Sequence, residues 1–441
     1  LRGPIRTAEW IPGGDPWRTF RDVARANETH IYGRLVELCD GAGHRLAGSP
    51  GQKRAEAIGK AWFEKDEIKV WTEPVKVPVW VRGEEELSLV KPRAEKLDLL
   101  ALGGTVATPK AGIEAPIVVI TDFEELGPQV KGKIVLYNHP MKVTVPAIDG
   151  YGEAVAYRGQ GASKAAKFGA VAVLVRSVTT HSLATPHTGG MWYDEALPKI
   201  PAASITVEDA ERLSRMAKDG EVRLKLRLTA HFEADGEAVN VIAEVPGIET
   251  PEEIVLLGGH LDSWDVGQGA HDDGAGIVES VEALRLVKGH GSTKRTVRVV
   301  LFANEENGLG GGKAYFAAHG HEKHVAAVES DLGGGRPRGW GFTADDAQKA
   351  WLERMITDSG MTSRAGGVGA DISLLVADGV LGIGLLPDDT HYFDVHHTRG
   401  DTVDKVEPLA LADATAAVAA LVWELANVPG APAKAAPRAN E

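Results

Sequence analysis

The chain has 441 residues, 43% hydrophobic and 25% charged, which is typical of a globular protein with roughly two or three compact units. A formal net charge of -14 argues against a general nucleic-acid binder, because neutralising phosphates needs a basic surface. The single cysteine, Cys39, excludes an intrachain disulfide and a cysteine-based zinc site, and without a run of about 18 apolar residues no membrane span is expected.

The first part of the chain is predicted to be mainly helical. In residues 17–67, WRTFRDVARANETHIYGRLVELCD and QKRAEAIGKAWFEKDEI carry apolar residues at helical spacing, separated by the loop HRLAGSPG. KVWTEPVKVPVWVR alternates and contains prolines, which favours edge strands. We expect residues 1–97 to form the first part of the main domain. The opening LRGPIRTAEWIPGGDP has no hydrophobic signal core, and the sequence leaves open whether a signal was removed ahead of it.

Residues 98–228 are predicted to form an inserted, β-rich domain. Short strands at APIVVI, KGKIVLY and GAVAVLVRS are separated by turns, and GQGASKAAKF is predicted as a helix. IPAASITVEDAERLSRMA is predicted as a strand, a turn and a helix, with Thr206 as the N-cap. Because this block carries no cluster of metal-binding residues, we interpret it as an insertion.

Residues 229–428 alternate strands and helices, which predicts an α/β sheet with helices on both faces. The predicted strands are NVIAEV, EIVLLGGH, TVRVVLFAN, AAVESDLGG and GVLGIGLL, and the predicted helices are GIVESVEALRLVK, GGKAYFAAHG and DAQKAWLERMITDSG. The Ala/Pro-rich segment 429–441 is expected to be a flexible tail. Most of the candidate ligands follow a predicted strand, where open α/β sheets place their sites.

The first group of candidates lies in GGHLDSWDVGQGAHDDGAG. His260 ends a predicted buried strand, and Asp262, two residues on, can face the same side and orient the imidazole. Asp272 and Asp273 precede a helix, where a loop can present one carboxylate to two cations. The alternatives are a structural histidine for His260 and simple helix capping for the aspartate pair.

Two further groups contribute carboxylates. Glu305 and Glu306 end the strand TVRVVLF, where adjacent carboxylates repel each other unless a cation compensates. Neighbouring strand residues point in opposite directions, so one glutamate can bind a metal while the other faces a water. Asp331 follows another apolar strand. The alternatives are a solvated acidic turn for the glutamates and a turn-forming role for Asp331.

The last group is THYFDVHHTRGDT, in which only one of His396 and His397 is expected to face a given site and Asp401 could support it. A surface loop is the alternative. Taken together, one His, one Asp, one Glu, one Asp and one His in separate loops suit a pair of zinc ions, with cobalt or manganese as substitutes. Two adjacent metals can activate a water and polarise a carbonyl, and Glu305 is then left over as the general base.

The string GHLDSWDVGQGA followed by DDGAG resembles the co-catalytic di-zinc aminopeptidase and carboxypeptidase family, in its carboxypeptidase Q branch. HTGGMWYDEALPKIPAASITVEDAERLSRM, HHTRGDT and HRLAGSPG are similar to the same branch, and the resemblance covers nearly the whole chain except its ends. It implies an α/β zinc-exopeptidase sandwich, with a mixed central β-sheet flanked by helices and an inserted protease-associated-like domain at 98–228. Residues 1–97 and 229–428 would then form the peptidase domain.

The resemblance also implies a role for each candidate. Glu305 would be the catalytic base for a water held between the cations, and the Asp272–Asp273 peptide bond would be cis. The spacing of the family motif selects His397 over His396. The implied zinc ligands are His260 and Asp331 for one ion, Glu306 and His397 for the other, and Asp272 as the bridge.

The implied activity is hydrolysis of dipeptides or other short peptides, as a carboxypeptidase or dipeptidase, with aminopeptidase specificity as the alternative. A non-catalytic scaffold on the same fold is disfavoured because all five ligands are present. His187, Tyr193 and Trp264 are weak candidates for substrate contact, with core packing as the alternative. The resemblance further implies a homodimer in a secreted, periplasmic or lysosomal location, and we expect neither nucleic acid nor membrane as a partner.

Overall fold

The computed structural model describes residues 15–438, which fall into two compact units. Within that range, the first unit contains residues 15–77, 236–389 and 401–438, and the second contains 78–235 and 390–400. The boundaries expected at 98 and 228 therefore lie inside the second unit. Most of the opening segment and the last three residues of the expected tail lie outside the described residues.

The elements follow one another as the sequence predicts over much of the chain. The helices are α1 Pro16–Ala26, α2 Glu28–Ala42, α3 Pro50–Lys65, α4 Tyr151–Ala166, α5 Val207–Asp219, α6 Ala275–His290, α7 Gly310–His319, α8 Asp346–Ile356, α9 Ser373–Ala377, α10 Tyr392–Val395 and α11 Pro408–Asn427. The strands are β1 Lys69–Val77, β2 Trp80–Val81, β3 Glu85–Lys91, β4 Glu95–Leu97, β5 Leu99–Ala101, β6 Ile113–Ile120, β7 Ile134–Tyr137, β8 Ala172–Arg176, β9 Ala202–Ile205, β10 Arg223–Leu228, β11 His231–Phe232, β12 Gly236–Val245, β13 Thr250–His260, β14 Arg295–Phe302, β15 Lys323–Glu329, β16 Pro337–Thr343, β17 Thr362–Ala365 and β18 Leu381–Pro387.

The first unit is built on an eight-stranded sheet in the order β1-β12-β14-β13-β15-β18-β16-β17. Strands β14, β13, β15 and β18 are parallel to one another, whereas β12 and β16 run antiparallel beside them. The mixed sheet that the resemblance implied is therefore confirmed. β1 lies at one edge of the sheet, where Pro74 is tolerated because an edge strand can spare the backbone N–H that proline lacks.

Helices cover both faces of this sheet. On β13, Val255 and Leu257 belong to the core that includes α1, α2, α3, α6, α8 and α11, while Leu256 belongs to a second core with Tyr315 of α7 and Leu375 of α9. Successive residues of a strand point to opposite faces, so this alternation places one helical layer on each side.

The sequence analysis did not predict helix α11, which is the longest helix of the first unit. It has the length and hydropathy, 1.6 on average over its most apolar window, of a membrane span, but 78% of that window is buried inside the protein. Packing against α1 and α6 accounts for its apolar composition. A helix that is apolar on nearly every side gives no amphipathic period to detect.

The tail differs from the expected frayed segment over residues 434–438. Lys434 Nζ donates to the carbonyl of Gly320, at 3.0 Å, and to Asp378. Arg438 donates to the carbonyls of Val376 and Val380. These bonds hold the segment against the first unit despite its Ala/Pro-rich composition.

The second unit has its own eight-stranded sheet, in the order β4-β3-β10-β6-β7-β8-β9-β5, with β6 to β9 parallel. The predicted N-cap of α5 is confirmed, because the Thr206 hydroxyl accepts from the Asp209 amide at 3.0 Å. The segment 390–400 joins this unit through Phe393, which is buried beside Met141 and Val178.

Candidate metal centre

The candidate ligands of the first unit lie where three neighbouring parallel strands end. His260 is the last residue of β13 and pairs with Phe302, the last residue of β14. Glu305 and Glu306 follow β14, and Asp331 follows β15, the other neighbour of β13. The carboxyl ends of parallel strands meet at one edge of a sheet, which explains why these separate motifs converge.

His260 is the centre of the arrangement and is 1% exposed. Its Nδ1 donates to the carbonyl of Asp262 at 3.0 Å, so Nε2 faces the carboxylates. Nε2 lies 3.1 Å from Asp272 Oδ1 and 3.2 Å from Asp331 Oδ1. Burial lowers the pKa of His260, but the charge of Asp331 and the hydrogen bonds with Asp272 and Asp331 outweigh it and raise the pKa well above the usual value. Positive charge at Nε2 is therefore favourable beside the two carboxylates, and either a proton or a bound cation can supply it.

The two adjacent aspartates have different roles. Asp273 accepts from the His260 amide through Oδ2 and from the Gly276 amide through Oδ1, each at 3.0 Å, so it caps the start of α6. A Cβ on Gly259 would lie 2.4 Å from Asp273 Oδ2, which explains the glycine there. The peptide bond between Asp272 and Asp273 is cis. Asp273 also lies within 4.8 Å of His260 and Asp331, but its oxygens are already bound, which leaves Asp272 as the ligand candidate.

Two carboxylates support this centre in ways that the sequence analysis did not expect. The carboxylate of Asp262 lies 3.8 Å from His260 Nδ1, too far for a hydrogen bond, and instead accepts from the amides of Glu305, at 2.9 Å, and Glu306, at 3.3 Å. Asp401 accepts from the amides of His271, at 2.8 Å, and Asp272, at 3.1 Å. Asp262 thus orients the imidazole through its carbonyl, and Asp401 fixes the backbone of Asp272.

The turn that carries the glutamate pair is set by Asn304, whose backbone is left-handed with φ at 61°. Asparagine tolerates this conformation better than most residues. Burial raises the pKa of Glu305 well above its usual range, and the charges of Asp331 and Glu306 act in the same direction. A carboxylate with a raised pKa is suited to accepting and releasing a proton near neutral pH.

Two more buried carboxylates, Glu329 and Asp371, were missed. Glu329 accepts from the Ile372 amide at 3.0 Å, and burial together with the charge of Asp331 raises its pKa to about 8. Asp371 is 4% exposed, and within the described residues neither of its carboxylate oxygens accepts a hydrogen bond. Glu329 could have been noticed two residues before Asp331 in an apolar strand, whereas nothing around Asp371 in the sequence marks it. Such a concentration of buried carboxylates fits a site for cations.

The loop between His260 and Asp272 is braced by Arg45, which is fully buried. Its guanidinium donates to the carbonyls of Leu261, at 2.8 Å, Gln268 and Gly269, at 2.9 Å. Arg45 lies in the HRLAGSPG segment, so this motif holds the loop that carries the ligand candidates.

The histidine pair lies in the second unit. His397 is 8% exposed and has a left-handed backbone with φ at 61°. Its Nδ1 lies 3.3 Å from the carbonyl of Thr188, and the Thr188 amide donates to the His397 carbonyl at 3.0 Å. The ring of His396 stacks on that of His397 with centroids 3.6 Å apart. Along the chain, His397 precedes Asp401 by four residues.

The weak substrate candidates each make structural contacts within their own unit. His187 Nδ1 donates to the carbonyl of His396 at 2.7 Å, and burial lowers the pKa of His187 to about 3, so the ring is neutral. The hydroxyl of Tyr193 donates to the Ile200 carbonyl at 2.6 Å and accepts from the Val106 amide at 3.2 Å. Trp264 is 3% exposed. These contacts give the three side chains a place in the fold, and their contact with a peptide stays a prediction.

A second group of potential ligands involves the inserted block after all. Asp394 accepts from Nδ1 of His181 and from Nδ1 of His391, the latter at 2.9 Å, and ligand atoms of the three lie within 4.8 Å of one another. The block at 98–228 supplies only His181, so the sequence pattern could not reveal the group. Both imidazoles are largely exposed, and the hydrogen bonds to Asp394 account for the arrangement.

Comparisons with known proteins agree with this architecture. The profile of "Peptidase family M28" matches residues 240–422, and that of the "PA domain" matches residues 99–213. Carboxypeptidase Q of Xenopus laevis is 42% identical over 414 residues, covering 89% of this chain and 86% of that protein. The crystal structure of a peptidase M28 precursor from Shewanella amazonensis SB2B superposes with a TM-score of 0.89 at 36% identity, covering 96% of this chain and 100% of that one. A zinc aminopeptidase from Bacillus subtilis shares the fold, with a TM-score of 0.69 at 20% identity over 91% of this chain and 96% of that one.

Proposed function

The chain belongs to peptidase family M28 and is a zinc exopeptidase, and we propose that it hydrolyses dipeptides or short peptides with Glu305 as the general base. The inserted domain is a PA domain. The observation that carries the proposal is the imidazole of His260, whose Nε2 faces the carboxylates of Asp272 and Asp331 while its Nδ1 is committed to a carbonyl. This donor set, with nitrogen and carboxylate oxygens and no thiolate, fits zinc.

We propose that the chain holds two zinc ions. His260 and Asp331 would bind one, Glu306 and His397 the other, and Asp272 would bridge them. Two features support Asp272 as the bridge: Asp401 fixes its backbone, and its neighbour Asp273 already serves as the helix cap. The hydrogen bond from the Glu306 amide to Asp262 supports a fixed position for that ligand.

Zinc, when bound, would lower the pKa of a water and polarise the peptide carbonyl. The residues of the chain supply the proton transfers and the positioning. Glu305 takes the proton of the attacking water and passes it to the amine that leaves as the peptide bond breaks. Its amide is bound by Asp262, so the base and the ligand Glu306 are placed by one carboxylate. The left-handed backbone of Asn304 belongs to the turn that carries the pair after the end of β14.

We further propose a homodimer in a secreted, periplasmic or lysosomal location, on the resemblance to the carboxypeptidase Q branch. Analytical ultracentrifugation of the purified chain tests the dimer, because a sedimenting species of a single chain mass would contradict it.

The variant Glu305→Gln, with Glu306→Gln as its matched control, tests the roles of the two glutamates. We expect Glu305→Gln to keep its zinc and to lose about 100- to 10,000-fold in turnover, the usual contribution of a positioned base. Glu306→Gln should lose zinc as well as activity. Metal content by atomic emission and hydrolysis of a dipeptide panel, before and after chelation and zinc restoration, give the two readouts. Full hydrolysis of every dipeptide by Glu305→Gln would show that another group is the base.

A further inference from the structure

The second unit contains a group of metal-ligating side chains that takes no part in the proposed peptidase chemistry. His391 precedes α10 and Asp394 lies three residues on, a spacing at which side chains meet, and Nδ1 of His391 lies 2.9 Å from Asp394 Oδ2. His181 directs its own Nδ1 at the other oxygen, Oδ1, although it is 213 positions away along the chain. Ligand atoms of the three residues lie within 4.8 Å of one another. One carboxylate thus lies between two imidazole nitrogens that come from distant segments.

The two segments are joined beside this group by the hydroxyl of Thr179. This hydroxyl donates to the Phe393 carbonyl at 2.6 Å and accepts from the His181 amide at 3.3 Å. Phe393 is buried, and the side chain of Asp394 is only 17% exposed. The side chains of His181 and His391 are 45% and 82% exposed. The fold therefore fixes the carboxylate, whereas the two imidazoles can rotate toward a bound ion.

The donor set of this group is one that zinc prefers. Two imidazole nitrogens and one carboxylate oxygen leave the fourth position of a tetrahedral ion open. Ligand atoms bind zinc at about 2.0–2.2 Å, so two of them on one ion lie at most about 4.4 Å apart, and small rotations of the imidazoles would bring this group to that spacing. A metal binds an imidazole nitrogen without its proton, so the ion would replace the hydrogen bonds that join the rings to Asp394. Asp394 also lines a cavity of about 400 Å³ with Leu183 and Arg399, where water can complete the coordination.

We propose that His181, His391 and Asp394 form an additional site for zinc or a related transition-metal cation, which ties the PA domain to the segment 390–400. His181 lies in the part of the chain that matches the PA domain, and the other two ligands lie in that segment. An ion that binds the folded unit and not the unfolded chain stabilises the fold by mass action. The site shares no residue with the proposed ligands of the peptidase, so it does not depend on the proposed function.

Equilibrium dialysis against micromolar free zinc, followed by metal analysis of the full chain, tests the site. We expect the wild type to bind one zinc ion more per chain than His181→Gln, His391→Gln or the double variant. Because the result is a difference, it holds for any number of zinc ions at the peptidase centre. Each single variant removes a direct ligand, so the zinc affinity of the site should fall by more than the about 10- to 100-fold that loss of a supporting residue causes.

The matched control is His231→Gln. His231 is an exposed histidine of the same unit, and its Nδ1 lies 3.1 Å from the Thr229 carbonyl. Among the residues that the structure describes, it belongs to no group of three potential metal ligands. We expect its zinc content to equal that of the wild type. Circular dichroism would show that every variant is folded, and anomalous diffraction from a zinc-soaked crystal should place a peak between Asp394 and the two imidazoles.

Each contrary result has a distinct meaning. Equal zinc content in the wild type and in both single variants would refute the site, and an anomalous peak elsewhere on the second unit would show an adventitious ion only. Loss of the extra zinc in one single variant but not in the other would show that the ion does not join the two segments. Loss of more than one zinc in a folded variant would show that the histidine acts through the fold and not as a ligand. A wild-type enzyme that cleaves no peptide would refute the proposed function and leave this site untouched.

Discussion

Asp262→Asn removes one charge from the support of the metal centre while preserving the size of the side chain. Asp262 is fully buried, and its two carboxylate oxygens accept from the amides of Glu305, at 2.9 Å, and Glu306, at 3.3 Å. An asparagine retains one acceptor oxygen and places an NH2 group against the other amide. One backbone donor must then lose its partner, whichever way the carboxamide is oriented.

The size of the effect follows from these two bonds. A hydrogen bond to a charged group contributes about 1.5–3 kcal/mol, and the bond that remains would be to a neutral acceptor and weaker. Because the freed amide belongs to the turn that positions Glu306, we expect the loss to appear as weaker zinc binding. Replacing supports of metal ligands typically lowers metal affinity about 10- to 100-fold, which corresponds to about 1.4–2.7 kcal/mol.

Competition with a chromophoric chelator would measure the zinc affinity of Asp262→Asn, and circular dichroism would show whether the variant is folded. Asp345→Asn is the matched control, because Asp345 also accepts a backbone hydrogen bond, from the Gln348 amide at 2.8 Å, but at the start of α8. We expect its zinc affinity to equal that of the wild type. A folded Asp262→Asn variant with wild-type zinc affinity would refute the view that this carboxylate positions the ligand.

Two other changes test the wider structure. In Glu282, burial raises the pKa, but the charge of Arg34, the hydrogen bond from His30 and the charge of Arg285 outweigh it and lower the pKa to about 2. The ionised carboxylate therefore contributes about 3 kcal/mol to the free energy of unfolding above the unfolded pKa of roughly 4.3, and this contribution is lost as the pH falls toward 2. In urea unfolding at several pH values, the free energy of unfolding of Glu282→Gln should fall less steeply with acid than that of the wild type. The same steepness in both proteins would contradict the ion pairing. Thr206→Ala should lower the free energy of unfolding by about 1 kcal/mol through loss of the α5 cap, whereas Thr206→Ser should retain most of it in the same urea titration.

The position of the site could be predicted because it depends on the ends of parallel strands. His260, Glu306 and Asp331 lie in three separate motifs, yet each follows an apolar run that forms a strand. Strands of that kind pair in parallel in an α/β sheet, and their carboxyl ends meet at one edge. Periodicity and residue type are enough for this step, since neither the exact register nor the side-chain rotamers matter.

The helix α11 and the residues Arg45 and Asp371 could not be predicted by the same means. α11 is apolar on nearly all sides, so its sequence contains no period that distinguishes a buried helix from other buried segments. Arg45 acts on carbonyls more than 200 positions away along the chain, at Leu261 and Gly269. Asp371 is brought to Glu329 only by the fold of the chain around β15. Long-range contacts of this kind leave no local pattern in one sequence.

The resemblance assigned a role to each aspartate, but residue pattern alone did not, and the structure suggests a physical criterion for these roles. Asp262, Asp273 and Asp401 each accept two backbone amides, so their charge is satisfied by the fold and their positions are fixed. Asp272 and Asp331 instead direct an oxygen at the same imidazole nitrogen, an arrangement that only added positive charge makes favourable. Residue type is the same in both classes. Counting backbone donors separates the carboxylates that the backbone holds in place from those that we propose as metal ligands, and that count depends on backbone conformation, which a motif does not encode.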